Sequence, residues 1–221
     1  MLVGWDASSL EDRVRAHYCS PFDKEGSYTR NLLDPNFSVH AENMENWPGI
    51  PRPLCKNGQY ALQYGATANR LGITLGVGKK LGKLYYEDWW QRNLPLKLLK
   101  TAVEEKWKRE GYLVSLDGVR MKCRSKHSLL NTLFQSAGAI LMKEAMCILD
   151  GMVNVDHFTG PLDTFQVIHY HDEEQHSTAE KDAKTVGELG CQSIVQAGLN
   201  FNLNVPLAAE YDIGSSWAET H

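Results

Sequence analysis

Four residues spaced four apart, Arg52, Lys56, Tyr60 and Tyr64, are the part of the sequence best suited to chemistry. On an α-helix each such step turns the side chain by only ~40° and rises ~6 Å, so the four share one broad face. The two cations suit phosphate oxygens, and the two rings beyond them suit a sugar or a base. The alternative is a surface helix with half-buried tyrosines. The stretch 51–65 therefore predicts a helix able to bind a nucleotide.

Two carboxylates at strand ends are the candidate metal ligands. The apolar run 2–5 ends in Asp6, and the strand pattern 165–170 leads to Asp172. Two Mg²⁺ ions held by carboxylates from separate strands can neutralise a triphosphate and activate the attacking oxygen. Asp6 alone also fits an acid favoured by the dipole of the next helix, and Ser8 with Glu11 fits a capping box there.

A basic segment and a polar stripe are candidates for binding DNA. In VRMKCRSK, residues 119–126, every second residue is a cation, which predicts a strand with four cations on one face. Such a row repels itself unless an anion lies along it; the alternative is a solvated edge strand. His127, Asn131 and Gln135 are spaced by four along the helix predicted from about Ser128 to Asp150. This stripe suits the acceptors of a DNA minor groove, and an ordinary exposed polar face is the alternative.

The composition is that of a soluble globular chain, with 43% hydrophobic and 23% charged residues among 221. A formal net charge of −4 argues against indiscriminate binding of nucleic acid, so contact with DNA must come from local patches. No apolar run approaches ~18 residues and the N-terminus lacks a signal pattern, so we predict no membrane span and no secretion. Five scattered cysteines without a CxxC pair indicate reduced thiols in a cytoplasmic protein.

The elements between these motifs predict a largely helical region, about 20–110, inserted between parts of a sheet. Gly72, Gly76 and Gly78 are interpreted as breaks after the central helix, and the last strand is predicted around Asn202–Ala209. The other predicted helices are Ala7–Cys19, Ser27–Leu33, Val39–Asn46, Lys79–Asn93, Pro95 to about Arg109, and Ala179–Ala197.

In this order the motifs resemble those of the DNA polymerase I family (family A), especially the replicative polymerases of small-tailed bacteriophages. The stretch 6–13, DASSLEDR, resembles the first palm motif D-x-S-x-x-E-x-R, and 52–65 resembles the fingers-helix motif R-x3-K-x3-[YF]-x3-YG. Residues 124–138, with LNTLFQSAGA, resemble the segment that tracks the primer–template, and 171–173 matches the HDE motif. The ending WAETH, 217–221, resembles the family's tryptophan-and-histidine ending. The resemblance covers essentially the whole chain.

The resemblance implies an α+β fold: the C-terminal palm and fingers portion of such a polymerase, with a small antiparallel palm sheet and a large helical fingers insertion. The domain limits expected from it are 1–20 for the first palm strand and helix, 21–110 for the fingers, and 111–221 for the palm with its duplex-tracking helix and HDE hairpin. The polar run Glu174-Gln175-His176 departs from the family's apolar pattern, so we expect a weakened second arm of that hairpin.

The activity implied by the resemblance is template-directed transfer of deoxynucleotides from dNTPs onto a primer 3′ end, with two Mg²⁺ ions. The metal ligands would be Asp6, Asp172 and the carbonyl of Ala7, with Glu173 as an auxiliary acid near the primer end. The nucleotide-binding residues would be Arg52 and Lys56 on the β- and γ-phosphates, His40 as a further phosphate contact, Tyr60 against the sugar, and Glu11 excluding a ribose 2′-hydroxyl. The DNA-binding residues would be Tyr64 near the templating base, Arg124, His127, Asn131 and Gln135 along the duplex, and His171 near the primer terminus.

A partner polypeptide is also expected. The chain begins five residues before Asp6, and the resemblance places the exonuclease, the thumb and the first part of the palm upstream. We therefore expect one part of a split polymerase that holds primer–template poorly alone and exposes an apolar sheet edge, in the cytoplasm of the host if the protein is viral. The alternatives are a non-catalytic remnant or fragment that binds nucleotide and DNA, and a metallohydrolase built on His169, His171 and His176.

Overall fold

The computed structural model describes residues 1–34, 36–154 and 162–221, which form an α+β fold that is 62% helical. The strands are β1 (Leu2–Ala7), β2 (Leu113–Val114), β3 (Arg120–Met121), β4 (Thr164–Tyr170), β5 (Glu173–Thr178) and β6 (Ala209–Gly214). The helices are α1 (Leu10–Cys19), α2 (Ser27–Leu33), α3 (Val39–Asn46), α4 (Arg52–Gln63), α5 (Ala68–Leu75), α6 (Gly78–Arg92), α7 (Leu94–Glu110), α8 (Leu129–Val153) and α9 (Ala183–Asn200).

The chain divides into two compact units. The sheet unit comprises residues 1–14 and 136–221, and the helical unit comprises residues 15–135. These limits lie at other positions than the domain limits expected from the sequence, which remain a prediction.

The sheet unit is built on four antiparallel strands in the order β4-β5-β1-β6. One face of the sheet packs against α9, where glycines allow a close approach. A Cβ at Gly190 would lie 2.5 Å from the ring of Trp5, which is only 1% exposed. Because successive side chains of β1 alternate, Val3, Trp5 and Ala7 enter this core while Asp6 points to the other face.

The second arm of the HDE hairpin is a complete strand, so the expectation of a weakened arm is wrong. β5 lies inside the sheet between β4 and β1, and Glu173, Glu174, Gln175 and His176 are all less than 8% exposed. A polar strand can occupy such a position only when its side chains find partners, and they do, as described below. The other arm, β4, is an edge strand with an irregularity between Gln166 and Ile168.

The last strand and the first helix also differ from their predictions. β6 begins at Ala209, where the predicted strand ends, because β1 pairs along its whole length with Ala209–Gly214. The carbonyls of the preceding residues do not belong to this strand pairing. The carbonyl of Pro206 accepts a hydrogen bond from the Arg13 guanidinium, and that of Ala208 accepts one from the Ser8 N–H. Helix α1 therefore begins only at Leu10, and the Ser8 N–H that a capping box would offer to Glu11 is bonded to Ala208.

The helical unit contains a helix, α5, that the sequence analysis interpreted as a break. Gly72 lies inside it and packs against Gly82 of α6, where a Cβ at Gly72 would be 2.6 Å from the Gly78 carbonyl oxygen. This glycine therefore serves a close helix crossing, and the break comes afterwards, at Gly76 and Gly78 with φ of 69° and 75°.

The basic segment 119–126 does not form the predicted strand. β3 contains only two of its residues, because the partner strand β2 offers only two residues for pairing. Its cations separate: Arg120 stacks over the ring of Tyr112, 4.7 Å from its centroid, and Lys126 pairs with Glu104 at 3.0 Å. The row of four cations on one strand face is thus absent.

Helix α8, counted over Lys126–Val153, is the one helix of the described residues that is long and apolar enough to cross a membrane, and an 18-residue stretch of it has a mean hydropathy of 1.2. Its apolar side chains are largely buried within the protein, including Leu133, Phe134, Leu141 and Leu149, each at most 5% exposed. This burial accounts for the hydropathy of α8, because the core helix of a globular fold is also apolar on most of its surface.

Candidate active site

The two candidate metal ligands lie at neighbouring strand ends in the sheet unit. Asp6 is near the end of β1, and Asp172 lies in the turn between β4 and β5. The N–H of Ala7 donates a 3.0 Å hydrogen bond to the carbonyl of Asp172, and Asp6 pairs in register with Glu173. The ladder therefore brings these acids, from the two ends of the sequence, to one edge of the sheet.

The charge at this edge is strongly negative. Partial burial raises the pKa of Asp6, and the negative charges of nearby carboxylates raise it further. These carboxylates are, from the largest effect to the smallest, Asp172, Glu210, Glu173 and Asp212.

Glu210 and Asp212 were missed by the sequence analysis. Both belong to β6, where Glu210 pairs in register with Asp6 and Asp212 pairs with Gly4. Their alternation in AEYDIG places them on one strand face, but the predicted strand ended before them. Because the last strand was predicted at the wrong residues, these two acids of the site were not identified from the sequence.

Glu173 is enclosed by residues from the C-terminal end of the chain. One carboxylate oxygen accepts a 2.7 Å bond from the indole N–H of Trp217 and another bond from the Gln175 amide, and the other lies 2.6 Å from Nδ1 of His221. Gln175 in turn accepts a bond from the hydroxyl of Thr220. These bonds explain how a buried carboxylate is tolerated in β5, and they fix its orientation.

The neighbouring Glu174 and the histidines form a different set of contacts. The carboxylate of Glu174 bonds His169 and Gln166, and its pKa is raised by burial, an effect that these bonds oppose. His176 packs on Trp5 with ring centroids 4.5 Å apart, and burial lowers its pKa to about 4. His169 and His176 of the metallohydrolase alternative thus have different partners, and within the described part of the chain no three His, Cys, Asp or Glu side chains, the acids around Asp6 included, are grouped to hold a metal.

His171 and Asp172 form the exposed turn of the hairpin. His171 has a left-handed backbone, with φ of 59°, and its Nδ1 lies 3.2 Å from a carboxylate oxygen of Asp172. Both side chains are about half exposed. Asp172 is therefore accessible from solvent, so an ion in solution could reach its carboxylate.

The predicted nucleotide face of α4 is a continuous row of side chains in the helical unit. The ammonium of Lys56 lies 5.9 Å from the ring centre of Tyr60, and Tyr60 stacks with Tyr64 at 6.4 Å. His40, from α3, meets Tyr60 edge-on at 5.9 Å. Arg52 begins the helix and is exposed, as is Lys56. The row has the order cation, cation, ring, ring that the sequence predicts.

The candidate DNA-binding residues approach the end of this helix from α8 and the turn before it. Gly65, with φ of 82°, lies against the backbone carbonyl of His127 so closely that a Cβ would collide with it. Arg124 and His127 are exposed, and Asn131 and Gln135 follow on α8, partly buried. Glu11 lies in the first turn of α1. The acids thus belong to the sheet unit, and the cationic row and the duplex candidates belong to the helical unit.

Comparison with known proteins gives the family. Residues 1–219 match the model of DNA polymerase family A. The DNA-directed DNA polymerases of Enterobacteria phage T3 and Escherichia phage T7 are each 30% identical over 241 residues, 99% of this chain and 33% of their own length. DNA polymerase I of Pseudomonas aeruginosa is 25% identical over 100% of this chain and 25% of its own length. This chain thus spans about a third of the length of the phage relatives.

A solved structure has the same fold. The POL domain of Pol1 from M. smegmatis, in complex with DNA primer-template and dNTP, superposes with a TM-score of 0.81 at 21% identity, over 98% of this chain and 40% of that one. The palm and fingers fold expected from the resemblance is confirmed. Because the family model covers nearly the whole sequence, the chain belongs to DNA polymerase family A.

Proposed function

We propose that the chain carries the centre of a DNA-directed DNA polymerase, which transfers deoxynucleotides from dNTPs to a primer 3′ end on a template. The observation that supports this most is the bond between Ala7 and Asp172, because it joins the two strand ends that bear the candidate metal ligands. Family membership over residues 1–219 gives the reaction class.

The acids at the end of β1 and in the turn between β4 and β5 suit Mg²⁺. Asp6, Asp172 and the carbonyl of Ala7 are oxygen donors, which Mg²⁺ prefers, and this ion keeps several waters and takes further oxygens from substrate phosphates. The pKa of Asp6 is raised first by partial burial and then by the nearby negative charges, and two divalent cations would offset those charges. When bound, the ions would polarise the α-phosphate and favour the alkoxide form of the primer hydroxyl.

The chain's own residues would do the binding and positioning. Arg52 and Lys56 would hold the β- and γ-phosphates and offset the charge that develops on the departing pyrophosphate. His40 would add a phosphate contact, Tyr60 would pack against the sugar, and Glu11 would exclude a 2′-hydroxyl. The order of side chains along α4 supports this assignment, because phosphate ligands precede stacking surfaces.

For DNA, Tyr64 would stack near the templating base and His171 would lie near the primer terminus. The duplex would be held by Arg124, His127, Asn131 and Gln135. Glu173 would act as an auxiliary acid whose orientation is fixed by Trp217 and His221.

We further propose that the thumb and exonuclease are supplied by a separate polypeptide. In support, the edge strand β4 exposes Phe165, Val167 and Tyr170 by 62%, 46% and 60%, which is the apolar edge expected where a sheet continues into another segment.

The test has two steps. The first measures binding of dATP to this chain with and without Mg²⁺, for the wild type, Asp172→Ala and Lys56→Ala, with Lys83→Ala as the control because Lys83 is exposed on α6. We expect Mg²⁺-dependent binding that both site variants weaken by about tenfold or more and the control does not.

The second step measures primer extension after adding the protein encoded by the neighbouring reading frame. We expect extension by the wild type and a loss of about 10³-fold in Asp172→Ala. Undiminished extension by Asp172→Ala would overturn the proposal. Mg²⁺-dependent binding without incorporation, even with the partner supplied, would instead favour the non-catalytic alternative.

A further inference from the structure

A buried hydrogen-bond group lies directly behind the nucleotide row of α4. The side-chain oxygen of Gln59 accepts two bonds of 2.8 Å, one from the amide of Asn43 on α3 and one from the indole N–H of Trp89 on α6. All three residues are at most 1% exposed. One oxygen thus joins three helices where water does not reach.

The orientation of both amides is fixed by their neighbours. The indole of Trp89 can only donate, so it must meet the oxygen of Gln59. At the other end the guanidinium of Arg92, also only a donor, lies 3.4 Å from the oxygen of Asn43, which leaves the Asn43 NH₂ group for Gln59. Arg92 is itself held by Asp88 at 2.9 Å and by Glu42 at 3.3 Å. No alternative arrangement of these amides satisfies the same donors.

The group lies next to the site in sequence and in space. Gln59 precedes Tyr60 on α4, and Asn43 lies three residues after His40, which is close to one turn of α3. The bond from Asn43 to Gln59 therefore ties the two helices one turn from the point where His40 and Tyr60 meet at 5.9 Å.

We infer that Gln59 is a positioning residue, which holds His40 and Tyr60 at a fixed separation and so sets how a nucleotide's phosphates and sugar fit between them. The inference rests on the proposed function for its consequence, but its structural part does not. Loss of the Gln59 oxygen would leave a buried indole N–H and a buried amide unpaired, so α3 and α6 would shift relative to α4.

The chain offers a matched control on the same helix. Gln63 lies one turn later and is 7% exposed, and among the described residues its side-chain oxygen has no hydrogen-bond partner. Gln59→Met and Gln63→Met make the same change in the same helix, since methionine keeps the length and fills the space. Only the first removes an oxygen that bonds two other helices.

Two measurements on the full chain test the inference. The first is the nuclear Overhauser effect between ring protons of His40 and Tyr60, and the second is the dissociation constant of dATP with Mg²⁺, compared with that of dideoxy-ATP. Gln59→Met is expected to lose the ring contact, to weaken dATP binding about tenfold and to change the ratio of the two constants. Gln63→Met is expected to keep the contact and both constants within about twofold.

The outcomes separate this inference from the proposed function. Retention of the ring contact in folded Gln59→Met, or equal losses in both variants, would overturn it. If the wild type binds no dATP, the proposed function fails and the ring contact alone decides the positioning role. If Gln59→Met does not fold, Trp89→Phe, which removes one donor and keeps a ring, must show a smaller change in the same direction, and an unchanged ring contact there would also overturn the inference.

Discussion

The sheet unit and the helical unit each contain a buried polar group, and the two groups are of different kinds. In the sheet unit the buried groups can carry charge: Glu173, Glu174 and His176 of β5. In the helical unit the group around Gln59 consists of neutral amides and an indole. Burying a group that can ionise costs far more than burying a bonded amide, unless its charge is paired or suppressed.

This difference indicates which unit depends for its stability on the protonation state of buried side chains. The buried acids of β5 lie beside the candidate metal ligands, and their partners come from far along the chain, such as Trp217 and His221 for Glu173. The neutral group around Gln59 contains no side chain that titrates between pH 4 and pH 8, so its hydrogen bonds should be indifferent to pH in that range. The sheet unit should respond to pH, and it should do so through identifiable residues.

The largest expected effect is acid destabilisation through His176. Burial lowers its pKa in the folded protein to about 4, whereas an unfolded histidine has a pKa of about 6.5. The unfolded state therefore takes up the proton first, and stability that is fully present above about pH 6.5 is lost as the pH falls towards 4. The loss is ~3 kcal/mol at most, measured as the free energy of unfolding against pH.

The variant His176→Phe isolates this effect from the acids of the same unit. Asp6 and Glu174 have raised pKa values, so they bind protons earlier in the folded state and stabilise it on acidification, which opposes the effect of His176. The wild type should lose stability relative to the variant between pH 7 and pH 4. A constant difference between the two proteins would show that His176 does not titrate as its burial requires.

The next effect should be confined to the helical unit. Gly82→Ala places a Cβ 2.7 Å from the backbone nitrogen of Gly72. Because the contact is with backbone and not with a flexible side chain, helices α5 and α6 would have to move apart to relieve it. We expect a loss of ~2 kcal/mol that is the same at pH 7 and pH 5, measured by urea unfolding. Gly151→Ala is the control, since no described atom lies within 4 Å of the added Cβ, and it should stabilise by ~0.5 kcal/mol. Equal effects of the two substitutions would contradict the close crossing.

The same contrast explains what the sequence could predict. Helix α4 was predicted because its two cations and two aromatic residues recur every four positions, and α2 and α3 were predicted with the limits that the structure has. The strand β5 offers no such pattern, because burial there is satisfied by bonds to residues 44–48 positions away. The crossing of α5 and α6 was missed because a glycine for close packing and a glycine for a break look alike in sequence.

The candidate site was predictable where local motifs carry it. The row from Lys56 to Tyr64 and the placement of Asp6 and Asp172 at strand ends follow from spacing. Glu210 and Asp212 do not, because their proximity to Asp6 depends on the register of β6, which only the pairing with β1 decides. The prediction of a four-cation strand was wrong for the same reason. The length of that strand is set by its partner β2, which lies outside the segment 119–126.

A smaller effect should follow from removing one donor to Glu173. Trp217→Phe keeps a ring beside Tyr170 but deletes the 2.7 Å bond to the carboxylate, while Gln175 and His221 remain. We expect a loss of ~1 kcal/mol in the free energy of unfolding at pH 7.5. Trp107→Phe is the control, because the Trp107 indole N–H has no partner among the described residues. A loss no larger than in the control would mean that the C-terminal residues do not stabilise Glu173.

The smallest effect is expected for a surface charge of the helical unit. It gives the contribution of an exposed ion pair, for comparison with the buried bonds of β5. Lys83 and Glu87 form an i,i+4 pair on α6 at 3.7 Å, with side chains 69% and 58% exposed. Solvent screens such a pair, so Lys83→Ala should change the free energy of unfolding by less than ~0.5 kcal/mol, and less still in 0.5 M salt. The measurement is urea unfolding at low and high ionic strength, with Glu87→Ala and the double variant completing the cycle. A coupling above ~1 kcal/mol would show that exposed charge on α6 matters as much as a buried bond of β5, and the contrast between the units would then not depend on burial.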